Sequence, residues 1–305
     1  MSNSELVSTG PHRATTTTTA PTAPRMPAGQ GRFGSFARLV RSELSLVFRR
    51  RRNLALLAVL SGAPILVGVV VRLASGDGPP GGGPPFLGQI TQNGVFLVFT
   101  GLVVALPLFL PLAVAVVSGE SVAGEANTGT LRYLLVVPVN RTRLLTVKYT
   151  GIVVFAVVAA LTVAVVGLVV GLLLFPHGPV TLLSGATVPY ADGLARALLV
   201  ALYVAAMLTT VGAIGLFIST LTEVPVGATA ATAVITIVVQ IIDAIPQVSV
   251  VHPYLFTHWW LAFGDLLRTP MALDDVGRGL ATQLAYIAVF FALAWARFNN
   301  RDVTS

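Results

Sequence analysis

The chain contains no cysteine, a single lysine, and charged side chains at only 10% of its 305 positions. Without cysteine there are no disulfides, no thiolate chemistry and no cysteine-ligated metal, and the redox compartment stays unspecified. The lone lysine, Lys148, follows Val147 rather than glycine. A Walker-type phosphate loop needs a glycine-rich turn that ends in lysine. The stretch Gly124 to Thr130, GEANTGT, imitates the glycine spacing, but Thr130 stands where the lysine belongs and no strand precedes it. This chain therefore does not hydrolyse ATP by itself. HExxH and GxSxG motifs are missing too. His252 and His258 have no Cys, Glu or third His at ligand spacing, so no metal site is expected. Ionisable residues are nearly absent from the interiors of the apolar runs, which argues against a proton-coupled carrier and against an intramembrane enzyme.

What is present is apolar sequence: 55% of residues are hydrophobic and mean hydropathy is +0.84, values that define an integral membrane protein. The pI near 10.5 comes from arginines beside apolar blocks, where they meet lipid headgroups rather than nucleic acid. Residues 1–31, with Thr15 to Thr19 and Pro21, Pro24 and Pro27, have little to bury and are expected to be a disordered cytoplasmic tail. They lack the apolar core of a signal peptide. Phe33, Phe36, Val40, Leu44 and Val47 then recur at helical spacing, with Arg32, Arg38, Arg41 and Glu43 on other faces, which predicts an amphipathic helix lying on the membrane. The cluster Arg49 to Arg52 closes it and holds it on the cytoplasmic side.

A crossing needs about 20 apolar residues. Six spans are predicted, at about 54–73, 95–117, 150–174, 194–218, 226–245 and 280–298, within a single domain covering 32–305. With both termini cytoplasmic, fifteen of the nineteen cationic residues fall inside; Arg72, Arg196, Arg268 and Arg278 fall outside. The outer segment from Gln247 to Gly279, with Tyr254, Trp259 and Trp260, is expected to lie along or dip into the outer interface, as a re-entrant hairpin in one reading. Thr209, Thr210, Thr229, Thr232, Thr236 and Gln240, interspersed with Gly212, Gly215, Gly227 and Ala231, suit helix packing. Pro107 and Pro111 are sites where span two can bend.

The polar island from Gly119 to Tyr149 separates spans two and three. Asn127 or Thr128 is placed to cap a short helix through Leu131, Arg132, Leu134 and Leu135, which Pro138 ends before Asn140 caps the next. The order Glu125, Gly129-Thr130, Leu134-Leu135, Pro138-Val139-Asn140-Arg141, then Lys148 resembles the second-to-third-span loop of the membrane subunits of type-2 ABC transporters, the ABC-2 permease family. The resemblance extends over residues 33–303, with Asn140 where Ser or Thr is commoner and with Glu120 and Glu125 both candidates for the family's glutamate.

The resemblance implies an all-α integral membrane fold with six transmembrane helices, an N-terminal amphipathic interfacial helix and a cytoplasmic coupling helix between spans two and three. It implies a permease subunit in the plasma membrane, exporting rather than importing, that binds no cofactor itself. ATP and Mg would belong to a separate ATP-binding subunit, and a second permease copy or paralogue would complete the assembly. The implied partner-binding residues are Glu120, Glu125, Gly129, Thr130, Leu131, Arg132, Leu134, Leu135, Pro138, Asn140 and Arg141, with Glu223 in the Thr220 to Val226 loop as a smaller contact. The alternative is a membrane anchor or sensor that recruits a cytoplasmic protein through the island and moves no solute.

Overall fold

The computed structural model describes residues 32–74, 85–127 and 141–299. The predicted tail at 1–31 and the island's centre, including Gly129, Thr130, Leu131, Arg132, Leu134, Leu135, Pro138 and Asn140, lie outside the described residues.

Helix α1 (Arg32–Arg49) is followed after one residue by α2 (Arg51–Ala74), then α3 (Pro85–Gln92), α4 (Phe96–Ala105), α5 (Phe109–Asn127), α6 (Arg141–Leu174), α7 (Tyr190–Leu221), α8 (Pro225–Asp243) and α9 (Asp274–Asn299). A hairpin of two-residue strands, β1 (Val180–Thr181) and β2 (Thr187–Val188), pairs Val180 with Val188 between α6 and α7. Its turn uses Gly185 at φ 78°, a backbone conformation that a Cβ disfavours. Among the described residues six helices, α2, α5, α6, α7, α8 and α9, are long and apolar enough to cross a membrane. The chain is a helical, multi-pass membrane protein.

The second predicted span is not one helix. It is divided into α4 and α5 by the turn Leu106–Leu108, and α5 runs on to Asn127. Asn127 is the last residue of α5, and the short helix expected after it lies outside the described residues. The proline pair is the cause of the division. Pro111 lacks an N–H, so the Pro107 carbonyl loses its helical donor. Gln240 of α8 supplies one instead, its Nε2 donating to that carbonyl at 2.9 Å.

The helices approach closely where residues are small, the usual means of association when apolar faces gain nothing by leaving lipid. A Cβ on Gly171 of α6 would lie 2.1 Å from the Gly94 carbonyl oxygen, and one on Gly215 of α7 would lie 2.0 Å from Ser118 Oγ of α5. α7 is the central helix: Val200, Val204, Met207, Leu208 and Val211 are all fully buried. α2, α8 and α9 are peripheral, with few buried residues.

The ends of the bundle differ in character. At the near end are the α1–α2 junction, the C-terminus of α5, the N-terminus of α6, the α7–α8 turn and the C-terminus of α9. At the far end, residues 246–267 form 3-10 turns at Pro246–Val248, His252–Tyr254 and His258–Leu267. They are not the helical hairpin that one reading of the sequence anticipated. Tyr203 Oη donates to the Trp259 carbonyl at 2.7 Å, Gln283 Nε2 to the Phe256 carbonyl at 2.7 Å and Tyr286 Oη to the Tyr254 carbonyl at 3.0 Å. Tyr286 is twelve residues into α9, about 18 Å along its axis. The segment thus packs down between α7 and α9. Buried Arg196 ties its end to α7, with Nη1 donating to the carbonyls of Leu266 and, at 2.9 Å, Arg268.

Candidate functional site

The near end holds a charged cluster built from four helices. Lys148, on the first turns of α6, has a side chain only 1% exposed, and its Nζ lies 2.6 Å from Glu125 Oε1 and 3.7 Å from Glu43 Oε1. Such burial is tolerable for an ammonium only when carboxylates face it. Glu43 reaches it because α1 lies against α6, where Gly151 leaves room: a Cβ there would be 3.2 Å from Glu43 Cγ. The half-buried positions Phe36, Val40, Glu43, Leu44, Val47 and Phe48 share one side of α1. Glu43 therefore belongs to the packed stripe, not to the polar faces assigned to it from spacing. Phe48 also stacks at 6.3 Å on Phe155 of α6.

One turn before Glu125, Glu120 accepts from Arg50 Nη1 at 2.9 Å and also pairs with Arg52. The sequence assigned both arginines to headgroups; they instead bind the α1–α2 junction to α5 while remaining nearly half exposed. The two glutamates are thus distinguished: Glu120 holds the arginine junction, and Glu125 holds Lys148. Glu43, Arg50, Arg52, Glu120, Glu125 and Lys148 line one recess.

Because Glu125 and Lys148 flank residues 128–140 on either side, their ion pair closes the base of the island. Arg141 stands at the start of α6, where Nη1 donates to the Asn299 carbonyl at 2.8 Å. It satisfies the C-terminal end of α9, and Trp295 Nε1 donates to Thr142 Oγ1 at 2.8 Å beside it. Arg143 lies over the Phe36 ring, 5.7 Å from its centroid. Glu223 is exposed in the α7–α8 turn at the same end.

Behind the glutamates α7 is joined to the α5 backbone. Ser219 Oγ accepts from the amides of Val122 at 3.1 Å and Ala123 at 2.8 Å, and donates to the Gly119 carbonyl at 2.7 Å. Gly119 and Ala123 are the two ends of one helical hydrogen bond, so this hydroxyl bridges the α5 ladder beside Glu120. Displacement of α5 at this level must carry α7 with it.

Glu43, Arg50, Arg52, Lys148 and Ser219 carry the cluster without standing among the residues predicted as a site. Lys148 was marked in the sequence by being the lone lysine and by closing the motif of the island. At the far end His252 and His258 acquire a third neighbour that ligand spacing did not suggest, Asp243 at the end of α8.

Six membrane-length helices with a buried charge cluster at one end define a polytopic membrane protein with a braced near end. Within that class the chain belongs to the family described as "Protein of unknown function (DUF2705)", whose model matches residues 84–304. The match takes in α3 to α9, with the island and the far-end segment, and leaves out α1 and α2. No curated protein matches the chain.

Proposed function

We propose that this chain is the permease subunit of an ATP-driven transporter of the type-2 ABC class, and that the island is the surface through which a separate ATP-binding subunit moves it. The observation that carries the reading is the Glu125–Lys148 pair at the island's base, reinforced by Glu43. A force applied to residues 128–140 passes through that base into α1, α5 and α6, and through Ser219 into α7. A loop with no mechanical task needs no such connection. The α4–α5 division supplies a bend in the second span, and export is the proposed direction. Loops at this end, including the turn that carries Glu223, would form the rest of the contact.

The reading is tested by sequencing the neighbouring reading frames for a Walker-A ATPase, co-purifying the chain with that ATPase and measuring ATP hydrolysis in proteoliposomes. Association with stimulated hydrolysis is expected, and Arg132→Glu should abolish stimulation. Normal stimulation in that variant would refute the docking role. A partner that binds stably without any hydrolysis would show an anchor instead. Arg141→Glu is the weaker variant, because Arg141 also holds the end of α9.

A further inference from the structure

We infer that Asp243, His252 and His258 form a binding site for one divalent transition-metal ion of the zinc class at the far end of the bundle. The inference does not depend on the permease reading.

The three donor atoms lie within 4.8 Å of one another, on side chains that are partly buried. His258 Nδ1 is 2.8 Å and His252 Nδ1 4.0 Å from the same Asp243 Oδ1. Donors about 2.1 Å from a common ion stand roughly 3.4 Å apart in a tetrahedron, between these two distances. Small side-chain rotations complete the set, leaving a fourth position for water or another ligand.

His258 Nδ1 stands at hydrogen-bond distance from Asp243, a bond the ion would replace, while at His252 the second shell favours a metal. His252 Nε2 lies 3.1 Å from the Ile245 carbonyl, an acceptor, so this nitrogen carries the proton. In the neutral ring Nδ1 is then a bare lone pair facing a carboxylate oxygen, and two acceptors are aimed at one another. A cation between them resolves the conflict. The arrangement of metal-facing nitrogen, outward N–H and backbone carbonyl is the one that fixes ligating histidines. His258 is held in turn by the edge of Trp259, with ring centroids 4.9 Å apart, and the Trp259 indole N–H donates to the Pro253 carbonyl at 3.0 Å.

The surrounding field has the same sign. Asp243 is the last residue of α8, where the helix dipole and terminal carbonyls are negative and a carboxylate is disfavoured without a positive partner. Among the described residues its ion-pair partners are these two imidazoles, with no lysine or arginine. The chemistry, two imidazoles and one carboxylate with no thiolate, suits Zn2+ and its neighbours over Ca2+ or Mg2+.

The ion would fasten α8 to the segment 252–259, which is already hydrogen-bonded to α7 through Trp259 and to α9 through Tyr254 and Phe256. Loading would therefore fix α8 relative to those two helices at the far end.

The test uses the untagged full-length chain in detergent, stripped with a chelator and titrated with Zn2+ against a chromophoric competitor and with Co2+ by visible absorption. One equivalent per chain is expected, with Co2+ bands of a four-coordinate nitrogen–oxygen site. Asp243→Asn, His252→Gln and His258→Gln should each weaken binding at least about 100-fold, the upper end of what an outer-shell change costs. Zinc-edge X-ray absorption on the loaded wild type should show two imidazole ligands, a readout that needs no variant to fold. Absence of saturable binding, unchanged affinity in the His252→Gln/His258→Gln double variant, or a spectrum without imidazole would each overturn the site.

Discussion

At the scale of single residues the most consequential is Lys148, because its ammonium is withdrawn from water and two carboxylates compensate it from different helices. Lys148→Met should destabilise the protein by about 3 kcal/mol, the usual cost of leaving one side of a buried pair uncompensated, with some relief because both glutamates are partly exposed. Adding Glu125→Gln should recover part of that loss, since it removes the nearer of the two carboxylates left unpaired while Glu43 remains. Thermal unfolding in detergent of the two single variants and the double variant measures the coupling; additive losses would contradict it. Gly171 tests packing in the same way. A Cβ there meets the Gly94 carbonyl oxygen at 2.1 Å, a backbone atom that cannot rotate aside, so Gly171→Ala should cost at least about 1–3 kcal/mol by forcing α4 and α6 apart. Gly62, which has open space at its Cβ, is the control: Gly62→Ala should be neutral or stabilising.

At the scale of elements, the bend between α4 and α5 depends on a polar contact that replaces the bond Pro111 removes. Gln240→Leu leaves the Pro107 carbonyl without its donor and should cost about 1–3 kcal/mol. In a Pro111→Ala background the chain provides its own amide, and the same substitution should cost only a few tenths of that. Equal losses in both backgrounds, read from thermal midpoints, would show that Gln240 acts elsewhere. The helices themselves were legible because twenty apolar residues in a row have few other folds. The proline pair also signalled a bend. What did not show was long-range pairing. Glu43 and Lys148 are separated by 105 positions, and spacing along α1 alone placed Glu43 on a polar face. Asp243 escaped because the two histidines return to it through 3-10 turns, which have no periodicity that would betray the fold-back. Arg50 and Arg52 resembled a topology signal because composition cannot separate an arginine bound by a glutamate from one bound by a phosphate.

At the scale of the whole molecule, the two ends of the bundle differ in charge, and this bears on orientation. Cations outnumber acids at the near end, with Arg50, Arg52, Arg141, Arg143 and Lys148 among them, while at the far end Asp192, Asp243, Asp265, Asp274 and Asp275 face Arg72, Arg196, Arg268 and Arg278. Arginine-rich ends are retained in the cytoplasm, so the near end should face inward. The cysteine-free sequence makes this directly measurable, since any introduced thiol is unique. Asn127→Cys and Glu223→Cys, both at exposed near-end positions, should react with a membrane-impermeant maleimide only in inverted vesicles. Thr187→Cys and Leu273→Cys, exposed at the far end, should react only in right-side-out cells or vesicles. Labelling of all four from one side would be incompatible with six crossings. A clean exchange of the two sets would keep the six spans, reverse the molecule, and turn the island away from any cytoplasmic ATP-binding partner.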